Sequence, residues 1–376
     1  ARMDFSLSDE QRMLDETVSR LVADRCNPEQ RRALINERST SPSPLWRTFA
    51  ELGLLAMPFS EAVGGLGGDG IDMMLIMQSL GRGLVPEAYL DGLLIPGMLL
   101  ARLGDDAQRD RWLIPLLEGQ HQLALAWHEA SSRYEINTPT TCATRSDNRW
   151  KLQGRKQVVL NAPNAAALLV TARLDDDVLG LFLVPSESEG LRRRDYATLD
   201  DQYASDIDID LTLPASALLA SGENLRTALD EALTMGRAAL CAEAVGAMER
   251  ACEQTLDYLK ERQQFGTPLS RQQALQHRMV DMYLHLEQAR SMAILAATSL
   301  TLPDEQRDYR VAAAKAYIGE AAQFVAEQAI QLHGGMGMTE ECSVAHYAKR
   351  LILIDHALGD RDYHLDTVIA RLDTAA

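Results

Sequence analysis

Between Arg237 and Met248 the chain reads RAALCAEAVGAM. Small and apolar residues run through it as through a helix interior, and one carboxylate, Glu243, interrupts them. A carboxylate among apolar neighbours is costly unless it is paired or neutralised, and burial favours its protonated form. A general base for a weakly acidic proton needs that environment. The structural alternative is a buried acid satisfied by a cation from another helix or subunit, with Arg237, Arg278 and His277 as candidate mates.

Two glycine-bearing segments offer a second kind of chemistry. QLHGGMGMTEE, Gln331 to Glu341, closes an alanine-rich helical pattern with two glycines and a third at Gly337. Glycine at a helix end accepts the left-handed cap, and its bare backbone lets another body come close. KERQQFGTPLSRQQ, Lys260 to Gln273, closes a helical run with Arg262 and Phe265-Gly266, then opens another with polar Gln residues. A guanidinium fork suits phosphate oxygens, although an arginine is also a favourable charge at a helix C-terminus. A third glycine-rich stretch, EAVGGLGGDG from Glu61 to Gly70, has neither the dinucleotide nor the nucleoside-triphosphate spacing and follows no strand. It predicts a turn between helices rather than a phosphate cradle.

Helices and strands must position these residues, and they fall into three zones. From Leu7 to about Gly119 the pattern is helical: DEQRMLDETVSRLVADRC repeats apolar residues at three and four, behind a cap region at Ser8 to Gln11. From about Gln122 to Leu219 short β-rich runs dominate, among them QLALAWHE, RWKLQGRKQVVLN, ALLVTAR, LGLFLVP and IDIDLTL, separated by turn residues. From Asn224 onward helical patterns return. The first runs as one helix to about Gln264, closed by Gly266 and Pro268, and at least three more follow. The domain boundaries read from this are 1–120, 121–222 and 223–376.

The bulk properties bound the partners. A chain of 376 residues points to two or three domains. Its formal net charge of -17 disfavours nucleic acid and anionic membrane surfaces, which reward clustered Lys and Arg. Cys26, Cys142, Cys241, Cys252 and Cys342 are scattered and form no C-x-x-C pair, so they read as reduced cytoplasmic thiols, with no disulfide framework and no metal site. No charged leader precedes an apolar segment, and no apolar run reaches the ~18–20 residues of a membrane helix. The richest, Leu90 to Leu103, is broken by Gly92, Pro96 and Gly97. A soluble cytoplasmic protein is the expectation.

The two C-terminal segments, in a helical, then β-rich, then helical chain, resemble the acyl-CoA dehydrogenase family. MDFSLSDEQ, ELGLLAMPFSEAVGGLGGDG and GRKQVVLNAPNAAALLVTAR fit the same family in the same order, so the resemblance runs from Met3 to the C-terminus. AEAVGAME, RKQVVLN, IQLHGGMGMT and LGDRDYH are similar to the small subunit of pimeloyl-CoA dehydrogenases. The resemblance implies an α+β multi-domain fold: an N-terminal α-helical domain, a middle antiparallel β domain and a C-terminal four-helix bundle. It also implies FAD and removal of an acyl-CoA α-proton with hydride transfer from the β-carbon to the flavin, giving the trans-2-enoyl-CoA. Electrons would pass to an electron-transfer flavoprotein. The assembly would be a homo-oligomer or a heterotetramer with a second acyl-CoA dehydrogenase subunit.

Site residues follow from the resemblance position by position. Arg262 approaches the FAD pyrophosphate of a neighbouring subunit, with Phe265 nearby. Gln273 matches the Gln of the following helix, and Gln331, Gly334 and Gly335 lie along the adenosine and pyrophosphate. In the middle domain the family's TEPGxGSD reads HEASSRYE, His128 to Glu135. Trp127 and His128 fall beside the flavin, and Tyr134 takes the place of the Ser that helps hold substrate. The family's WITNG reads VVLNA, which puts Val158 at the Trp position and Leu160 at the Thr position. Arg237 corresponds to the arginine beside the family's alternative base.

Both ordinary base positions lack an acid. The family's YEGT falls on ALGD, Ala357 to Asp360, leaving Leu358 where the catalytic Glu usually stands. The alternative position beside Arg237 is Gly236. Glu243 lies seven residues beyond Gly236, about two turns and ~10 Å along nearly the same helix face, and is the candidate base. A thioester reaching it would enter in an altered pose suited to bulky or ω-carboxylated acyl groups. Asp360, carried over as a cofactor neighbour, is the remaining candidate. Three functions therefore stand: a dehydrogenase using Glu243, a non-catalytic or FAD-sharing subunit of a heteromeric acyl-CoA dehydrogenase, and an oxidase or monooxygenase using Asp360.

Overall fold

The computed structural model describes residues 6–36 and 42–374; Met3 to Phe5 of the first family-like stretch lie outside them. Among the described residues α-helices come first: α1 (Asp9–Arg25), α2 (Pro28–Asn36), α3 (Pro44–Glu51), α4 (Gly70–Arg82), α5 (Ile95–Leu103) and the short α6 (Asp106–Gln108) and α7 (Ile114–Leu117). Strands follow: β1 (Gln122–Ala126), β2 (Cys142–Ser146), β3 (Arg149–Leu160), β4 (Ala165–Leu174), β5 (Leu179–Pro185), β6 (Leu191–Ala197), β7 (Tyr203–Pro214) and β8 (Leu218–Ser221). Then come α8 (Gly222–Glu261), the two-residue strands β9 (Gln263–Gln264) and β10 (Thr267–Pro268), α9 (Gln273–Ser299), α10 (Asp304–His333), α11 (Ser343–His356) and α12 (Arg361–Thr374). The cap expected at Ser8 forms: its hydroxyl accepts from the Gln11 amide, and the Gln11 side chain accepts from the Ser8 amide.

By packing, the chain divides into two compact units. One takes the described parts of 1–33, 69–85 and 237–376. In it α1 packs on α4, α4 on α9, and α10 against α9, α11 and α12. Close approach depends on small residues. A Cβ at Gly246 would stand 1.9 Å from the Gln78 carbonyl oxygen, and one at Gly81 would stand 2.1 Å from that of Glu243, so α4 and α8 cross with their backbones in contact.

The second unit takes 34–68 and 86–236 and is built on an eight-stranded sheet in the order β6-β7-β3-β2-β4-β5-β8, with β1 also paired to β4. Trp150 meets Phe182 edge-on at 5.6 Å in its core. The antiparallel expectation needs correcting at β4, which runs parallel to both β1 and β2. Alternation of apolar and polar residues fixes a strand and its buried face but carries no strand direction, and the long 127–141 connection leaves room to return. The glycine-rich 61–70 stretch is a turn, as expected. Its amides are used internally: Gly65 bonds Ser60, Leu66 bonds Ala56, Gly67 bonds Phe59 and Gly68 bonds Met57, so they are not presented to a phosphate.

Candidate active site

Glu243 is paired. From α11, Arg350 donates Nε to Oε1 at 2.6 Å and Nη2 to Oε2 at 2.7 Å, a two-pronged bond across α8 and α11. The side chains of Arg350 and Glu243 are 9% and 13% exposed. None of the anticipated mates holds it: Arg237 donates to the Leu358 carbonyl, Arg278 reaches Gln328, and His277 is exposed. An unpaired acid awaiting a proton is therefore not what the fold contains.

The ALGD loop, where the resemblance puts the usual base, is braced by two cations. Leu358 and Gly359 both have positive φ, 56° and 109°. Arg237 Nε donates to the Leu358 carbonyl at 3.0 Å, and the buried Lys315 ammonium donates to the carbonyls of Asp355 and Gly359 at 2.9 and 3.0 Å. Burial pushes the Lys315 amine down to about 8. Burial, with the Arg237 and Lys315 charges, pushes the His364 imidazole down to about 3, so it is neutral; its Nε2 lies 2.6 Å from where a Cβ on Gly359 would be. Asp360 accepts the Tyr363 amide at 2.9 Å and so caps α12.

The residues carried over as the FAD pyrophosphate and adenosine contacts sit at two chain reversals of this same unit. The helix expected to reach Gln264 stops at Glu261, and β9 and β10 form a tight hairpin with Phe265 and Gly266 at its tip. Both tip residues have positive φ, 56° and 76°, as the tightest hairpin turns require. Phe265 is 93% exposed, and Arg262 and Gln273 are exposed beside the hairpin. At the end of α10, Gln331, Gly334 and Gly335 are exposed. Tyr258 of α8 stacks on His333 of α10 at 4.4 Å, which ties the two reversals together.

In the sheet unit, Glu129 organises the segment carrying Trp127, His128 and Tyr134. Its carboxylate accepts from the amides of Thr140 and Thr141 at 2.7 and 3.1 Å, from both of their hydroxyls, and from the Lys156 ammonium at 2.7 Å. Lys156 also reaches the Thr171 hydroxyl at 3.0 Å, and its side chain is fully buried. Desolvation works against the Glu129 charge, but the Lys156 and threonine bonds outweigh it and hold the carboxyl down to about 2. Burial brings the Lys156 amine to about 8, still charged at neutral pH. Trp127, His128, Tyr134 and Leu160 are half-buried, and the Trp127 and His128 rings meet edge-on at 5.7 Å. The His128 carbonyl accepts the Gln157 amide at 2.9 Å, fixing His128 against β3.

A flavin dinucleotide needs donors for its phosphates, bare backbone for its length and polar atoms beside its ring. Each unit, taken by itself, holds residues that fit part of those demands. The Arg262 guanidinium has no partner among the described residues, and nothing lies within 4 Å of where a Cβ would stand on Gly266, Gly334 or Gly335. His128 Nδ1 is buried without a hydrogen-bond partner. Among the described residues no His, Cys, Asp or Glu cluster is placed to hold a metal ion, and no helix is long and apolar enough to cross a membrane.

Sequence reasoning missed Arg350, Lys315, Lys156 and the Tyr258–His333 stack. Lys156 left a signal, because the alternation of RWKLQGRKQVVL assigns it to the buried face of β3. The others left none, since their partners lie 75 to 107 residues away in the chain, or are backbone carbonyls.

Comparison with known proteins bears on the family and the fold. A probable acyl-CoA dehydrogenase of Bacillus subtilis, YngJ, is 28% identical over 98% of this chain and 99% of its own. Among solved structures, the ChsE4-ChsE5 complex from Mycobacterium tuberculosis superposes with a TM-score of 0.88 at 25% identity, covering 99% of each chain. A glutaryl-CoA dehydrogenase from Mycobacterium smegmatis in complex with FADH2 gives 0.87 at 25% identity, over 97% of this chain and 95% of its own. The family models for the acyl-CoA dehydrogenase N-terminal and C-terminal domains match residues 8–120 and 226–372, together more than half of the sequence. The chain belongs to the acyl-CoA dehydrogenase family.

Proposed function

We propose that this chain serves FAD-dependent dehydrogenation of an acyl-CoA as an FAD-sharing subunit of a heteromeric enzyme, with the α-proton taken by a group from another chain. The observation that carries this is the state of the candidate bases. Leu358 and Gly236 stand at the family's two base positions, Glu243 is held at both oxygens by Arg350, and Asp360 caps α12. A solved relative that is itself a complex of two chains supports the same reading.

The division of labour follows from what each residue has to give. Arg262 offers its fork to the pyrophosphate, Gly334 and Gly335 leave room along the dinucleotide, and Gln273 and Gln331 offer amides. Trp127, His128 and Leu160 line the ring edge, with Tyr134 toward the substrate. Arg237 is engaged with Leu358 and holds that loop rather than a ligand. Bound FAD supplies the hydride acceptor. Segments 1–120, 121–222 and 223–376 are the functional domains of this reading, and an electron-transfer flavoprotein is the electron acceptor. The likeness to the pimeloyl-CoA dehydrogenase small subunit favours dicarboxylyl or bulky acyl groups. The five cysteines form no disulfide among the described residues, which favours a reducing, cytoplasmic setting.

The test is FAD content and anaerobic flavin reduction by straight-chain, dicarboxylyl and branched acyl-CoA thioesters, with this chain alone and co-expressed with a second acyl-CoA dehydrogenase chain encoded beside it. The reading expects reduction only in the co-expressed assembly. Full reduction by the chain alone, abolished by Glu243→Gln, would restore Glu243 as the base.

A further inference from the structure

One feature of the ring edge has its cause in the neighbouring strand. In the β3–β7 pair, Lys156 faces Ile207 and Val159 faces Ser205, so Gln157 and Val158 both stand opposite Asp206. Two residues against one is a β-bulge, and it leaves ladder amides without their usual partners. Val158 takes φ 48°, a conformation that a β-branched residue adopts only when its surroundings enforce it.

The enforcement is visible. The Val158 amide donates to Asp206 Oδ1 at 3.2 Å, and the Gln157 amide donates to the His128 carbonyl at 2.9 Å. Asp206 is itself anchored: Tyr196 donates its hydroxyl to Oδ1 at 2.9 Å, and Arg194 donates to Oδ2 at 2.6 Å. Arg155 stands 3.6 Å from Oδ2, and the carboxylate side chain is 13% exposed. The bulge leaves the apolar residue Val158 46% exposed, and the preceding Gln157 amide ties it to His128, whose Nδ1 is buried and unpartnered. A strained backbone, an exposed valine and an unsatisfied ring nitrogen are thus gathered at one edge, and one carboxylate holds the backbone that presents them.

We propose that Asp206 is a positioning residue for the flavin: it fixes the Gln157–Val158 bulge and, through the Gln157–His128 bond, the edge that the isoalloxazine ring meets. This rests on the FAD reading above. Asp206 touches no cofactor in this account and acts only through β3.

The experiment uses the chain in whichever assembly binds FAD, with Asp206→Ala and the milder Asp206→Asn, which keeps an acceptor oxygen. Three quantities are read: amide exchange at Val158 without FAD, FAD affinity, and the flavin midpoint potential with its visible band shape. Asp206→Ala is expected to speed exchange at Val158 and weaken FAD binding about tenfold, the loss of one charge-assisted hydrogen bond. The potential and band shape should shift with it, and Asp206→Asn should fall between Ala and wild type. If Asp206→Ala does not fold, the Asn variant decides: weaker FAD binding with a shifted potential supports the proposal. Faster exchange with unchanged affinity, potential and spectrum would overturn it, leaving Asp206 as a fold residue only. Failure of the wild-type assembly to bind FAD would overturn the FAD reading itself, and this inference with it.

Discussion

Two buried acid–base pairs, one in each compact unit, look alike and do different work. Glu129 with Lys156 gathers a loop: the carboxylate also takes two amides and two hydroxyls, so the segment bearing His128 and Tyr134 is closed around it. Glu243 with Arg350 joins two helices, and its two oxygens meet one guanidinium. The difference teaches how to read a lone carboxylate in an apolar run. Its type and burial say that a partner or a proton is needed, and the fold decides which.

Each pair can be broken separately. Lys156→Met strands Glu129 among buried groups and should cost roughly 3–5 kcal/mol of stability, read by urea unfolding, with loss of FAD binding because the ring-edge loop opens. Glu243→Gln should cost less, roughly 2 kcal/mol, because the pair is not fully buried and the amide still accepts from Arg350. It should leave FAD binding unchanged, and unchanged stability would mean that the pair is not load-sharing. Arg262→Ala should leave the melting temperature within error while weakening FAD binding by about tenfold, since its guanidinium serves no partner among the described residues.

The smallest effect is with pH. Glu129 has its carboxyl held down to about 2 against an ordinary value of 4.5, so its contribution is fully present above about pH 4.5 and is lost as pH falls toward 2. Melting temperature followed from pH 5 to pH 2.5 should therefore drop more steeply in wild type than in the Glu129→Gln, Lys156→Met double variant.

Much of the architecture was legible because it is written in local pattern. The Ser8 cap, the turn at 61–70 and the helical, β, helical order each depend on neighbours in sequence. What escaped was long-range. The parallel placement of β4 depends on where a connection returns, and the partner of Glu243 sits 107 residues on, in AKRLILID, where nothing local marks Arg350 as inward-facing. The hairpin at Gln263–Pro268 looks like a helix end in the sequence because Gly266 and Pro268 stop a helix and close a turn equally well. The base question was half legible: Leu358 and Gly236 visibly lack a carboxylate, whereas the engagement of Glu243 depends on how α11 packs against α8.

The central claim is that the chain brings cofactor-binding residues and no proton acceptor of its own. Anaerobic stopped-flow mixing of the FAD-loaded wild-type chain with saturated acyl-CoA thioesters tests it, run beside Leu358→Glu, which puts a carboxylate back into the Arg237-braced loop. The account predicts a flavin band that stays oxidised in wild type and bleaches in Leu358→Glu. Rapid bleaching in wild type that disappears in Glu243→Gln would contradict it.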